Sequence, residues 1–254
     1  EGTHLVGASV VQRRARRHAH AVVLKVAAID ALHRINPPHT THARSAAHLG
    51  VLDGPVGEAA ARAADFPADI ALVFSNKPDA PGLATAKEAG IATASLHHKD
   101  FATREDFERA MQDILLAHKI DLVCLAGFMR LLTPWFVEQW TGRMINIHPA
   151  ILPSYKGLHT HERALADGVK LHGATVHFVV PEMDAGPIIA QAAVPVVDGD
   201  TPETLGARVL TQEHIIYPLA LKLVASGQAR LIDGKVETGE TINEHVLVVP
   251  NPAI

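Results

Sequence analysis

The sequence predicts an α/β protein: an open, mostly parallel sheet with helices on both faces, followed by a β-hairpin and a long C-terminal helix. Three observations predict it. From residue 68 onward, short β-rich runs alternate with stretches of helical period, at about 20–25 residues per strand-plus-helix unit. The run DLVCLAGF (121–128), bounded by charge and Gly, is continuously apolar between them instead of alternating, as in a strand buried on both faces. The chain of 254 residues is 48% hydrophobic and 20% charged, enough for the core of one large domain, and this excludes disorder as the overall class.

The elements follow in order. ADIALVFS (68–75) reads as a buried strand that ends at the turn Asn76-Lys77-Pro78. PGLATAKEAG (81–90) has Pro at its start and Gly at its end, the asymmetry of a helix. IATASL (91–96) is a second strand. Thr103 opens a helix that runs to about His118, with Phe107, Met111, Ile114 and Leu115 on one apolar face. The run at 121–128 is the central strand, a helix covers 134–141, and MINI (144–147) is the next strand. The pattern then becomes a hairpin: GATVHFVV (173–180), a turn over Met183–Pro187, and IIAQAAVPV (188–196). Asp200-Thr201-Pro202-Glu203 starts the long helix, about 202–226.

Residues 1–57 stand apart. They carry 7 Lys and Arg against 3 Asp and Glu, and 7 of the 17 His, whereas the remainder is acidic. HAVVLKVAAI fits a helix or a strand, Asn36-Pro37-Pro38 interrupts it, and HTTHARSAAH has no period. This basic His/Ala/Arg-rich composition predicts a disordered or misframed segment. The sheet needs a strand from 20–26 or 49–52 beside its switch point; otherwise an edge is left unpaired. The division predicted is 1–57, a main domain over 58–236, and a tail over 237–254.

The single Cys124 excludes a disulfide framework and multi-Cys metal sites. No run approaches the ~20 apolar residues of a membrane span, and no secretory signal is visible at the N-terminus, so a cytoplasmic protein is expected. A net charge of −4 argues against nucleic acid as the partner.

The chemistry concentrates in MINIHPAILPSYKGLHTHERAL (144–165). Asn146 and His148 are two apart at a strand tip, so they share a side. An amide donor beside an imidazole suits a carbonyl oxygen that becomes an oxyanion, with the imidazole as acid or base. The pair reads equally well as a structural histidine at a strand end. Asp184, in Pro181–Pro187, either stabilises its own turn or faces His148. His159 and His161 have the look of a metal pair but lack further ligands at zinc-like spacing, so no metal is expected.

These segments also carry a resemblance. NIHPAILPSYKGLHTHERAL, HGATVHFVVPEMDAGPIIAQ, TQEHIIYPLAL, FSNKPDAPGLATAKEAGIAT and DLVCLAGFMRLLTP resemble the phosphoribosylglycinamide formyltransferases, folate-dependent enzymes of purine synthesis, over about residues 58–236. The resemblance implies a Rossmann-like sheet of formyltransferase type. It implies transfer of a formyl group from 10-formyltetrahydrofolate, as cosubstrate, to the amine of 5-phosphoribosylglycinamide. Asn146, His148 and Asp184 fall on the family's catalytic positions. Arg104, Met129, Arg130, Leu131, Leu132 and Asn146 fall on folate-contacting ones, and Glu213 on a residue that binds the nucleotide's ribose. The implied partners are these small molecules, without nucleic acid, membrane or metal, for a monomer or homodimer.

One family feature has no counterpart. The family's first strand leads into a Ser-Gly-x-Gly-Ser-Asn loop whose amides cradle the phosphate. An ungapped alignment puts that loop at Leu49-Gly50-Val51-Leu52-Asp53, and nothing in 1–57 supplies the motif. Two other functions are therefore weighed: a non-catalytic folate-binding remnant, and a formyltetrahydrofolate hydrolase.

Overall fold

A computed structural model describes residues 66–239 except Met129, together with the backbone of residues 19–25. The strands of the main sheet are β1 (Ala19–Lys25), β2 (Ala68–Ser75), β3 (Thr93–Ser95), β4 (Leu122–Ala126), β5 (Met144–His148), β6 (Leu171–Phe178) and β7 (Ile188–Pro195). Their spatial order is β3-β2-β1-β4-β5-β6-β7. The first five run parallel, while β6 pairs antiparallel with both β5 and β7. The order reverses at the β1–β4 pair, which makes this the switch point where such sheets bind ligands.

The helices are α1 (Pro81–Glu88), α2 (Arg104–Ala117), α3 (Pro134–Gln139), α4 (Thr160–Ala166) and α5 (Pro202–Ala225). A small hairpin, β8 (Ala229–Ile232) and β9 (Lys235–Thr238), follows. Alternation along the strands divides the core in two. Val73, Cys124, Ile145, Val176 and Phe178 face the layer of α1, α4 and α5. Leu72, Phe74, Val123, Leu125 and Met144 face Phe107, Met111 and Leu115 of α2 and Phe136 and Val137 of α3. Each fully buried side chain of this size contributes about 1.5–3 kcal/mol, so both layers are needed to hold the sheet between them.

The helix starts follow their capping residues. The Thr103 side chain accepts from Asp106 N at the head of α2, Thr133 from Phe136 N at α3, and Thr201 from Thr204 N at α5, each worth about 1 kcal/mol. Strand 91–96 shortens to Thr93–Ser95, since only that stretch pairs with β2. The helix over 81–90 ends at Glu88 because the left-handed Gly90 follows, and that over 134–141 ends at Gln139.

The first 57 residues need a correction. Ala19–Lys25, part of the stretch expected to be disordered, forms β1 at the middle of the sheet, paired with β2 and β4. The physical reason is the pairing itself: without β1, β2 and β4 would each present an open ladder to the other. Of the two stretches named for this strand, 20–26 is the one used; residues 49–52 lie outside the described residues. No helix among the described residues is long and apolar enough to cross a membrane.

Candidate active site

Residues 144, 146 and 148 share one face of β5. Met144 lies in the core layer of α2 and α3, but Asn146 and His148 project past it, at the carboxyl end of the strand. The antiparallel register sets His177 opposite Asn146 and Thr175 opposite His148. Four side chains of two strands therefore share one face, and each of them can donate a hydrogen bond.

Asp184 reaches this face from the turn between β6 and β7. It stands in the left-handed region at φ 50, which Asp tolerates better than most residues. Gly186 lets the turn close: a Cβ there would lie 1.6 Å from Phe178 O. The carboxylate is then 3.4 Å from His148 Nδ1 through Oδ2, and 3.9 Å from His177 Nε2 through Oδ1. Gly157 N donates to Oδ2 at 2.8 Å, and the Asp184 side chain is 12% exposed. Of the two readings of Asp184, the geometry bears out the one in which it faces His148.

Hydrogen-bond chemistry fixes how the rings point. His148 Nε2 donates to Tyr155 O at 2.9 Å, since a carbonyl can only accept. With Nδ1 turned to Asp184, both ring nitrogens of His148 meet acceptors. His177 Nδ1 donates to Phe178 O at 2.8 Å, which leaves Nε2 as an acceptor for Asn146 Nδ2 at 3.3 Å. Burial above all lowers the pKa of His177, which keeps the neutral ring this arrangement needs. One amide hydrogen of Asn146 is thereby occupied, and the second is left to meet a ligand. His177 was missed from sequence because its link to Asn146 runs across strands; polar residues at 175 and 177 in an apolar strand were the available sign.

His159 and His161 go to different partners, Glu162 at 3.4 Å and His172 at 3.1 Å. Burial, with His161 alongside, pushes His172 down to about 4. No group of three or more His, Cys, Asp or Glu among the described residues is placed to hold a metal ion.

Residues 57–221 match the formyl transferase family. The chain belongs to that family. It is 52% identical over 164 residues to the trifunctional purine biosynthetic protein adenosine-3 of Bos taurus, covering 65% of this chain and 16% of that one. The chain thus spans only a small part of its trifunctional relatives. It is 49% identical over 162 residues to the phosphoribosylglycinamide formyltransferase of Escherichia coli, covering 64% of this chain and 76% of the relative. The crystal structure of glycinamide ribonucleotide transformylase 1 from Symbiobacterium toebii superposes with a TM-score of 0.73 at 36% identity, covering 87% of this chain and 94% of that one.

The remaining predicted residues have no hydrogen bond or ion pair to the Asn146–His148–Asp184 cluster among the described residues. Because Leu125 pairs with Asn146, the chain leaving β4 passes beside the Asn146–His148 tip, and residues 130–132 lie in that exit loop. The Arg130 guanidinium sits 5.7 Å from the Phe107 ring centre, and Leu131 is exposed. Arg104 is exposed at the first position of α2, the helix that carries Phe107. Met129 lies outside the described residues. Glu213 is on α5, 7% exposed, and burial pushes its carboxyl up to about 7. No hydrogen bond or ion pair among the described residues joins it to the Asn146–His148–Asp184 cluster.

Proposed function

We propose that this chain transfers a formyl group from 10-formyltetrahydrofolate to the amine of 5-phosphoribosylglycinamide, with Asn146, His148 and Asp184 as the catalytic groups. The observation that carries the reading is the oriented cluster: a free amide hydrogen on Asn146 beside an imidazole whose Nδ1 faces a carboxylate.

The attacking amine forms a bond to the formyl carbon, and the formyl oxygen gains negative charge. Asn146 Nδ2 donates to that oxygen at a strand tip, where a preset donor costs no reorganisation. His148 Nε2 exchanges its bond to Tyr155 O for the same oxygen, while Asp184 holds the ring from the other side. As the carbon–nitrogen bond to the folate breaks, the proton from the amine moves to the leaving folate nitrogen through a water on Asp184 Oδ1. Arg104 and residues 129–132 take the folate, and Glu213 takes the ribose. A catalytic unit made of residues 58–236 and strand β1 completes the proposal. Metal chemistry is not required by these steps, because the amine is itself the nucleophile.

The chain leaves β1 as Val26-Ala27-Ala28-Ile29-Asp30, with no glycine to bring backbone amides close to a phosphate. The test follows formyl-folate consumption by the full chain with and without the glycinamide ribonucleotide. Consumption only with the nucleotide supports transfer. Equal consumption in both conditions replaces transfer by hydrolysis, and none in either leaves folate binding alone. Calorimetry of each ligand is expected to show folate binding retained and the nucleotide weakened by several powers of ten, from the loss of several charge-assisted bonds of roughly 1.5–3 kcal/mol each. Tight, phosphate-dependent nucleotide binding would refute the account of the missing loop.

A further inference from the structure

Glu108 is the most deeply buried carboxylate among the described residues, at 1% exposure, and none of the steps above uses it. It lies one residue past Phe107 on α2, inside the layer that supports β4. Its partner is not a cation. Both carboxylate oxygens accept from Thr133 N, at 3.0 and 3.2 Å, and Oε2 also accepts from the Thr133 hydroxyl. The same hydroxyl accepts from Phe136 N at 3.3 Å, which caps α3. A chain of donors thus runs from the head of α3 through Thr133 into Glu108.

Thr133 ends the loop that leaves β4. This loop begins at the left-handed Gly127 and contains Arg130, Leu131 and Leu132. Its middle touches α2 as well, through Arg130 against Phe107. Phe128 and Leu132 of the loop pack against the same core layer, whereas Leu131 is exposed and Arg130 is half-buried. A buried carboxylate needs its donors, so the Glu108–Thr133 contact holds the loop end more strictly than a surface pair would.

We propose that Glu108 is a positioning residue for the formyl-donor site: through Thr133 it sets the height at which residues 130–132 stand beside the Asn146–His148 tip. The proposal rests on the folate reading of that loop. One helix, α2, then fixes both predicted donor contacts, Arg104 at its head and the loop through Phe107 and Glu108. The amine substrate, which the family resemblance places elsewhere, is not governed by this contact.

The experiment titrates tetrahydrofolate into the full chain by calorimetry. In parallel, steady-state rates of formyl transfer give kcat and separate KM values for the formyl donor and for the amine. The variants are Glu108→Gln, Thr133→Val and Thr133→Ser. Glu108→Gln and Thr133→Val are expected to weaken tetrahydrofolate and raise the donor KM by roughly fivefold to tenfold, with the amine KM and kcat within about twofold. Thr133→Ser, which keeps the hydroxyl, is expected to bind like the parent. If Glu108→Gln melts without a cooperative transition, Thr133→Val, which leaves the carboxylate in place, gives the decisive reading. Unchanged donor binding in both variants, with only a lower melting temperature, overturns the proposal. Tetrahydrofolate failing to bind the unmutated chain overturns the folate reading of the loop, a separate outcome that takes this proposal with it.

Discussion

The link from His177 to Asn146 can be tested by asking how much each contributes and whether they act as one unit. Asn146→Ala removes a single neutral donor from a half-buried strand tip. A lost oxyanion donor costs about 10²–10³ in kcat, and partial exposure places this one at the lower end, about 10², or about 2.7 kcal/mol. His177→Phe keeps an aromatic ring and removes the acceptor that orients the amide, together with the donor to Phe178 O, whose loss is read in the thermal melts. The contact with the amide is long, at 3.3 Å, so its net worth is about 0.5–1 kcal/mol, or roughly twofold to fivefold in kcat. Because His177 acts through Asn146, the double variant is expected to be no slower than Asn146→Ala alone. The assay is the initial rate of formyl transfer under saturating donor, with thermal melts to check folding. A 10²-fold loss in His177→Phe alone, or a double variant slower than Asn146→Ala by more than about threefold, would refute the orienting role.

Other outcomes follow from single contacts. Asp200, 3% exposed, is bound by Arg208 through two nitrogens at 2.7 and 2.9 Å, and this guanidinium holds its carboxyl well below the ordinary range. That stability is present above the ordinary carboxyl pKa and lost as pH falls toward the depressed one. Asp200→Asn is therefore expected to cost about 2 kcal/mol, or roughly 4–8 °C in Tm at pH 7, with the gap between parent and variant starting to narrow only below about pH 4 in a melting series. Glu213 shows the opposite sign: burial raises it to about 7, so the fold is penalised progressively from the ordinary 4.5 upward. Glu213→Gln is expected to gain up to about 3 kcal/mol at pH 8 and nothing at pH 4 in urea melts, while binding the nucleotide more weakly through loss of the ribose contact. Gly186→Ala forces the Asp184 turn away from Phe178 O, and a shift near 1 Å is expected to cost about 10² in kcat, checked by steady-state rates.

What the sequence revealed depended on whether neighbours in the chain were also neighbours in space. ADIALVFS was legible as β2 to the residue, because its apolar run and the turn after it are local. The shared side of Asn146 and His148 followed from strand alternation alone. The strand at Ala19–Lys25 is legible only as one of two candidate stretches, 20–26 and 49–52, because His18 and His20 and the basic residues before it mask a short β-branched run that its two partners explain. His177 depended on register between β5 and β6, which no spacing along the chain reveals. Glu108 read as part of the polar pattern of an amphipathic helix; its burial comes from Thr133, 25 positions later.

The hairpin of β6 and β7 has a consequence for how the protein becomes active. Asn146 and His148 belong to the parallel part of the sheet, whereas Asp184 and His177 arrive with the antiparallel addition. During refolding, the β2-to-β5 layer can acquire its strands and helices while the carboxylate is still elsewhere, because its contact with His148 closes across 36 positions of chain. Far-ultraviolet signal and recovery of turnover are then two clocks, the second one set by hairpin docking. Because Val176 and Phe178 lie in the same core layer as Cys124 and Ile145, docking of the hairpin also completes that layer, and amide exchange is expected to be earlier in the edge strand β7 than in β4.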